Sequence, residues 1–179
     1  MNRLATILTT TYDSVADSTN IVITLASLPT SASAVVGRES TAVSNVANLF
    51  VDAYVSGQVT VGTTPTTAKQ INVYVYALLK HVASVASYPI ATATALSGVD
   101  AAASFEIEQL NQVRFAASAT INATSDRAYS FAPFSVAALF GGVLPIKWGL
   151  FVTHSTVANL NATGTNHWFH WQGVKYTNT

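Results

Sequence analysis

The sequence predicts an all-β protein: an antiparallel β-sandwich, jelly-roll-like, with an extended N-terminal arm and one or two short helices. Three observations carry that expectation. Ala, Ser, Thr and Val dominate while Lys and Glu are scarce, so strand formers are abundant and the usual surface helix formers nearly missing. About seven or eight segments alternate apolar with polar residues or end at turn residues, as strands do. Turn signals recur between them, but several connections are long, which fits Greek-key or jelly-roll connections better than a tight meander. No internal repeat of fixed period is visible.

The Thr-rich residues 1–18 read as an arm and residues 19–179 as a single sandwich domain. The apolar run near the N-terminus is about five residues, too short for a signal peptide. In Asn20–Ala26 (NIVITLA), Ile21, Ile23 and Leu25 share a face, so a strand is expected there, ending at Pro29. Leu49–Val61 puts Val51, Ala53 and Val55 on one side and Asp52 and Tyr54 on the other, with Gly57 marking a bulge or bend. Gly62–Thr67 (GTTPTT) is turn chemistry. Ile71–Ala77 (INVYVYA) alternates most cleanly, and Tyr74 and Tyr76 on its outer side imply that this face is covered as well. His81 to Gly98 is a weakly patterned connection, and Asp100–Leu110 fits either a short helix with Asp100 as N-cap or a strand. Arg114–Asn122 reads as a strand, and Ser135–Phe140 as a short helix stopped by Gly141-Gly142. Trp148–His154 and His167–Tyr176 are the last two strands.

Charge narrows the function. Only 9% of residues are charged, with eight basic against eight acidic and no cysteine, where soluble domains average roughly 25% charged. Such a surface is covered by partners or built from Ser, Thr and Asn, which points to an assembled structural protein and away from an enzyme. Arg3, Arg38, Lys69, Lys80, Arg114, Arg127, Lys147 and Lys175 are scattered, with no basic stripe for nucleic acid. Phe131–Val152 is long enough for a membrane span, but two prolines, Gly141-Gly142 and Lys147 interrupt it. A short helix, a turn and a buried strand explain it better, and no membrane partner is expected.

No motif commits the chain to catalysis, a metal or a cofactor. His167 and His170, in HWFH, point to opposite faces of a strand, which suits core or interface histidines better than ligands. Glu106 and Glu108 would share one strand face, but no activating neighbour is identifiable. The adjacent opposite charges Arg38-Glu39 and Asp126-Arg127 suit turns or pairing between subunits. Asn122-Ala-Thr124 and Asn161-Ala-Thr163 match the glycosylation pattern, as a Thr-rich chain does by chance. The C-terminal cluster Trp168, Phe169, Trp171 and Tyr176 is either a sugar platform or core plus interface. Without polar sugar-binding partners the second reading is preferred, making Tyr74, Tyr76, Trp168 and Trp171 the candidate interface residues.

The run from Gly37 to Ala77 (GRESTAVSNVANLFVDAYVSGQVTVGTTPTTAKQINVYVYA) resembles small virion proteins of tailed bacteriophages, the capsid decoration or cement proteins. So does FAPFSVAALFGGVLPIKWGLFV, from Phe131 to Val152; the resemblance spans residues 20–175 in style and segment order. It implies a jelly-roll-like sandwich that forms dimers or trimers on the outer capsid surface and bridges capsomers of the major capsid protein. No active-site motif comes with it. A head–tail adaptor or tail structural protein, and a carbohydrate-binding module using Trp168 and Trp171, are the alternatives. The Thr-rich arm would add a strand to a neighbour.

Overall fold

The computed structural model describes residues 8–12, 19–82, 85–87 and 96–178. Among the described residues there are twelve strands: β1 (Leu8–Tyr12), β2 (Thr19–Asn20), β3 (Val36–Glu39), β4 (Val43–Ser44), β5 (Asp52–Thr60), β6 (Gln70–Val82), β7 (Val85–Ser87), β8 (Ala101–Ser104), β9 (Arg114–Thr120), β10 (Ala128–Ser135), β11 (Lys147–His154) and β12 (Trp168–Asn178). One sheet has the order β1-β12-β5-β10, with β2 also on β12. The other runs β8-β3-β11-β6-β7, with β4 on β11 and β9 on β6.

The pairings are nested. β1 pairs with β12, β3 with β11, β5 with β10 and β6 with β9, all antiparallel. The first half of the chain is thus zipped to the second half in reverse order. This long hairpin is wound into two sheets by the further pairs β12–β5 and β11–β6. That is the double Greek key of a jelly roll. The sandwich expected from the alternating segments is present, and five residues of the expected arm, β1, extend this chain's own sheet beside β12. The rest of residues 1–18 lies outside the described residues.

The core follows from the alternation. Ile71, Val73 and Val75 of β6, Trp148, Leu150 and Val152 of β11, Ala53, Val55 and Val59 of β5, and Phe169 and Trp171 of β12 meet between the sheets. Trp171 is their hub: its ring meets Trp148 of the facing sheet edge-on at 5.8 Å and Phe50 at 5.8 Å. Gly57 corrects the bulge expected of it. β5 keeps its register with β12 through this residue, and a Cβ there would collide with the Phe169 ring. The glycine is a seat for an aromatic. The irregularity falls instead on β10, between Phe131 and Phe134.

After the end of β10, which was not foreseen, Phe131–Val152 resolves into the expected short helix, turn and buried strand. α1 (Val136–Leu139) is capped by Ser135, whose side chain accepts from Ala138 N, and it ends at Gly141 and Gly142 with φ of +73° and +90°. Among the described residues no helix is long and apolar enough to cross a membrane. Asn20–Ala26 corrects a second expectation. Ile21 and Leu25 are buried as the pattern requires, but beyond Asn20 the segment joins no ladder. It crosses from one sheet to the other, tied by Ile21 N to Phe169 O and by Thr41 N to Val22 O, both at 2.8 Å.

A third layer covers the outside of the β6–β11 sheet. Leu96, Phe105, Val113 and partly Leu110 pack on Tyr76, Tyr74 and Phe151. The layer is the chain's own connection between β6 and β9, including a six-residue 3-10 helix, Ile107–Gln112.

Candidate functional site

The four residues expected at an interface divide between interior and surface. Tyr76 has no exposed surface at all. Gly149 leaves room for its ring over β11, and its hydroxyl donates to Ser40 O at 2.7 Å. Trp171 is 8% exposed and belongs to the inter-sheet core. The expectation that these two offer contact surface is therefore corrected: the outer face of β6 is covered, but by residues 96–113 of the same chain. Tyr74 sits at the border of that cover, half-buried, with Phe115 edge-on at 5.6 Å. Burial pushes its phenol above the usual range. Trp168 is the most exposed of the four, at 36%.

Trp168 lies on the outer face of the β12–β5 sheet because its neighbour Phe169 points into the core. His170, two residues on, shares that face and meets the Trp168 ring at 4.9 Å. Register places Gln58, Ser56 and Tyr54 of β5 beside Trp168, His170 and Gln172. Tyr54, 37% exposed, lies on the side of β5 that the alternation assigns to it, away from Ala53 and Val55. Two shallow grooves flank this row, one of about 370 Å³ between Tyr54, Pro133, His170 and Gln172. The other, about 360 Å³, lies between Trp168, Thr165 and the strand-crossing residues Asn20–Thr24. Among the described residues no charged residue lines either groove.

A second exposed apolar group was missed in the sequence. Val46 and Leu49 in the loop before β5, and Val143 and Ile146 in the loop before β11, are all exposed. The loops adjoin through Asn45 N to Ile146 O at 2.7 Å. The side chain of buried Asn45 clamps the first loop, donating to Phe50 O at 2.9 Å and accepting from Phe50 N at 2.8 Å. The signal for this group was weak, since isolated aliphatics between turn residues look like ordinary loop.

Several of the charges are used inside the molecule. Arg38 is ion-paired with Asp100, which also accepts from Thr24 N at 3.0 Å and from the Thr24 hydroxyl. Asp100 is held below the usual carboxylate range: burial works against this, but hydrogen bonds from Arg38 and Thr24 outweigh it. Glu39, 2% exposed, accepts from Ser97 N, Ser97 Oγ and Gly98 N. The pair Arg38-Glu39 thus latches the covering layer to β3 within one chain. Asp100 is a latch and not the N-cap weighed for it. Asp126 sits in a turn at φ +54° and accepts from Asn161 Nδ2 at 2.7 Å.

Glu106 and Glu108 do not share a strand face. Glu106 caps the 3-10 helix in a capping box with Gln109, Glu108 lies in its first turn, and both are exposed. His167 is buried while His170 is half-exposed, on opposite faces as the strand reading required. Among the described residues no group of three His, Cys, Asp or Glu is placed to hold a metal ion. No protein-family model, no curated protein and no solved structure matches the chain.

Proposed function

We propose that this protein is a non-enzymatic structural component of a virus particle, one that seats on the outer surface of a tailed-phage capsid and stabilises it by bridging capsomers. The observation that supports this reading is the distribution of charge and apolar surface. The chain spends Arg38, Glu39 and Asp100 on holding itself together. It leaves Val46, Leu49, Val143, Ile146 and Trp168 facing solvent. Exposed apolar groups of this kind, on loops held in shape from within, mark protein-contact surface. The jelly roll agrees, because it recurs in viral capsid domains, but it recurs in lectins and cupins too and assigns nothing by itself.

The mechanism is multivalent burial. Each copy covers a modest uncharged patch on the major capsid protein or on a sister copy, and closure of the shell multiplies the effect. The test is whether the protein co-purifies with intact particles in a fixed, high ratio to the major shell protein. A ratio matching a single ring at one vertex would replace the reading with a head–tail adaptor, and absence from particles would end it.

One observation favours carbohydrate binding as a second reading: the exposed Trp168 ring borders a groove that Asn20, Thr24 and Thr165 make polar. Trp171 cannot take part, since it is in the core. Glycan-array binding lost in Trp168→Ala, with folding intact, would support this reading over the first.

A further inference from the structure

His154 and His167 are buried at the end of the sandwich where β5 and β11 finish and β12 begins. Each imidazole uses both nitrogens. His154 Nε2 bonds Leu28 O at 3.0 Å, and its Nδ1 bonds Thr156 Oγ1 at 2.9 Å. His167 Nδ1 accepts from Thr60 N at 3.3 Å, which assigns the proton to Nε2, donating to Asn161 O at 2.8 Å.

The two carbonyls are shared. Leu28 O also accepts from Leu160 N at 3.0 Å, and Asn161 O from Ser27 N at 3.2 Å. The rings therefore sit at the two points where the crossing segment 25–31 is stitched to the loop 155–167. Thr60 Oγ1 to Asn166 O and Val157 N to Thr30 Oγ1 complete the seam.

We propose that His154 and His167 form an acid-released clasp, which holds residues 155–167 against residues 25–31 at neutral pH and lets go as the pH falls. A proton added to His167 would go to Nδ1, where it would face the Thr60 N–H, donor against donor. A proton added to His154 would go to Nδ1, where Thr156 Oγ1 can accept it while donating to Ala158 O at 2.8 Å, so what opposes it there is the burial of the charge in a site with no exposed surface.

Among the described residues no carboxylate bonds either ring. The charged groups on the surrounding elements are Lys69 before β6, Arg38, Glu39 and Asp100 on the β3 side, and Asp126 and Arg127 in the turn before β10. Arg38 and Asp100 are paired with each other, and Glu39 is bound to Ser97 and Gly98. Asp126 is bound to Asn161 Nδ2, and Arg127 lies over the Tyr129 ring.

Burial pushes both imidazoles below the ordinary histidine range. Bonds to backbone carbonyls oppose the shift, and His167 adds to it at His154. Above about pH 6.5 both rings are neutral whether the clasp is open or closed, so pH has no effect there. Below that value the open form takes up protons that the closed form refuses. With two rings released, the opening constant rises by as much as about 100-fold per pH unit until the folded values are reached.

The test is residue-resolved amide hydrogen exchange of the full chain at pH 7.5 and pH 5, corrected for the chemical rate. The amides read are Ser27, Thr60, Val157 and Leu160, against those in the middle of β6 and β11. The same measurement is made on His154→Gln/His167→Asn. At least tenfold faster opening of the four clasp amides in acid, with β6 and β11 unchanged and the acid response lost in the double variant, is the expected result. Uniform acceleration, no acceleration, or an equal response in the double variant overturns the clasp. Should the double variant fail to fold, NMR titration of the imidazole Cε1–H signals in the native chain decides. Midpoints at or above the ordinary histidine value for both rings overturn the proposal, and depressed midpoints uphold it.

Discussion

Removing the Glu39 carboxylate should unlatch the covering layer from the jelly roll. The three donors it serves differ in exposure. Gly98 N, at 3.0 Å, is buried, while Ser97 N at 3.0 Å and Ser97 Oγ at 2.8 Å are near solvent. In Glu39→Ala the buried donor is left without a partner, at a cost of about 1–3 kcal/mol, whereas the two Ser97 donors regain water and lose about 0.5–1 kcal/mol each. The sum, about 2–5 kcal/mol, is a large share of the roughly 5–15 kcal/mol that holds a domain folded. Glu39→Gln keeps the shape but turns one acceptor into an NH2 group facing N–H donors, so a smaller loss of about 1–2 kcal/mol is expected. Urea denaturation followed by tryptophan fluorescence gives both values. Limited proteolysis between β6 and β9 should show that the covering connection loosens before the sheets do. An Ala variant within about 0.5 kcal/mol of the native protein, the range of ordinary surface substitutions, would refute the latch.

Other substitutions test separate parts of the account. Gly57→Ala should cost about 1–3 kcal/mol in the same denaturation assay, because the new methyl drives into the Phe169 ring and β5 cannot move away without breaking two ladders. Tyr76→Phe removes only the hydroxyl bonded to Ser40 O and should cost about 0.5–1.5 kcal/mol. Leu49→Asn should leave stability unchanged or raise it by up to about 1 kcal/mol, since Asn tolerates the left-handed backbone that Leu49 occupies at φ +51°. Its occupancy on particles, measured by gel densitometry against the major shell protein, should fall; full occupancy would remove that loop from the proposed contact surface.

What the sequence made legible was whatever its own neighbours decide. The alternation in Ile71–Ala77 placed every inner residue of that stretch, because aliphatics at every second position admit a single phase toward the core. Ser135 and Gly141-Gly142 bounded α1 by local chemistry alone. What stayed hidden depends on distant residues. Tyr76 looked like contact surface because nothing near it in sequence says that residues 96–113 return to cover it. Arg38-Glu39 looked like a turn because the partner of Glu39 lies 58 residues away. Gly57 looked like a bend because the ring it accommodates, Phe169, arrives with the last strand. Asn20–Ala26 had the right face and the wrong element, since alternation reports burial and not ladder pairing. The exposed aliphatics Val46, Leu49, Val143 and Ile146 had no period to betray them.

Two of the exposed aliphatics also sit on backbone that does not suit them. Leu49, 74% exposed, and Val157, 57% exposed, have φ of +51° and +74°. For a β-branched residue such as Val157 that region is a true outlier, and either site would be filled more favourably by Gly or Asn. Each strained residue is held by the surrounding loop: Leu49 N bonds Asn45 O at 3.1 Å, and Val157 N bonds Thr30 Oγ1 at 3.1 Å. Folding alone gives no reason for a strained aliphatic aimed at solvent, which directs attention to what lies outside the chain. Leu49 precedes β5 and Val157 follows β11, so register puts them at opposite ends of the sandwich: Asp52 at the head of β5 faces Val174 near the end of β12, while His154 at the foot of β11 faces Ile71 at the start of β6. One such tip therefore lies at each end of the sandwich. If the bridging role proposed above holds, Leu49 and Val157 are the pair whose simultaneous replacement by Asn should lower occupancy on particles while leaving folding intact.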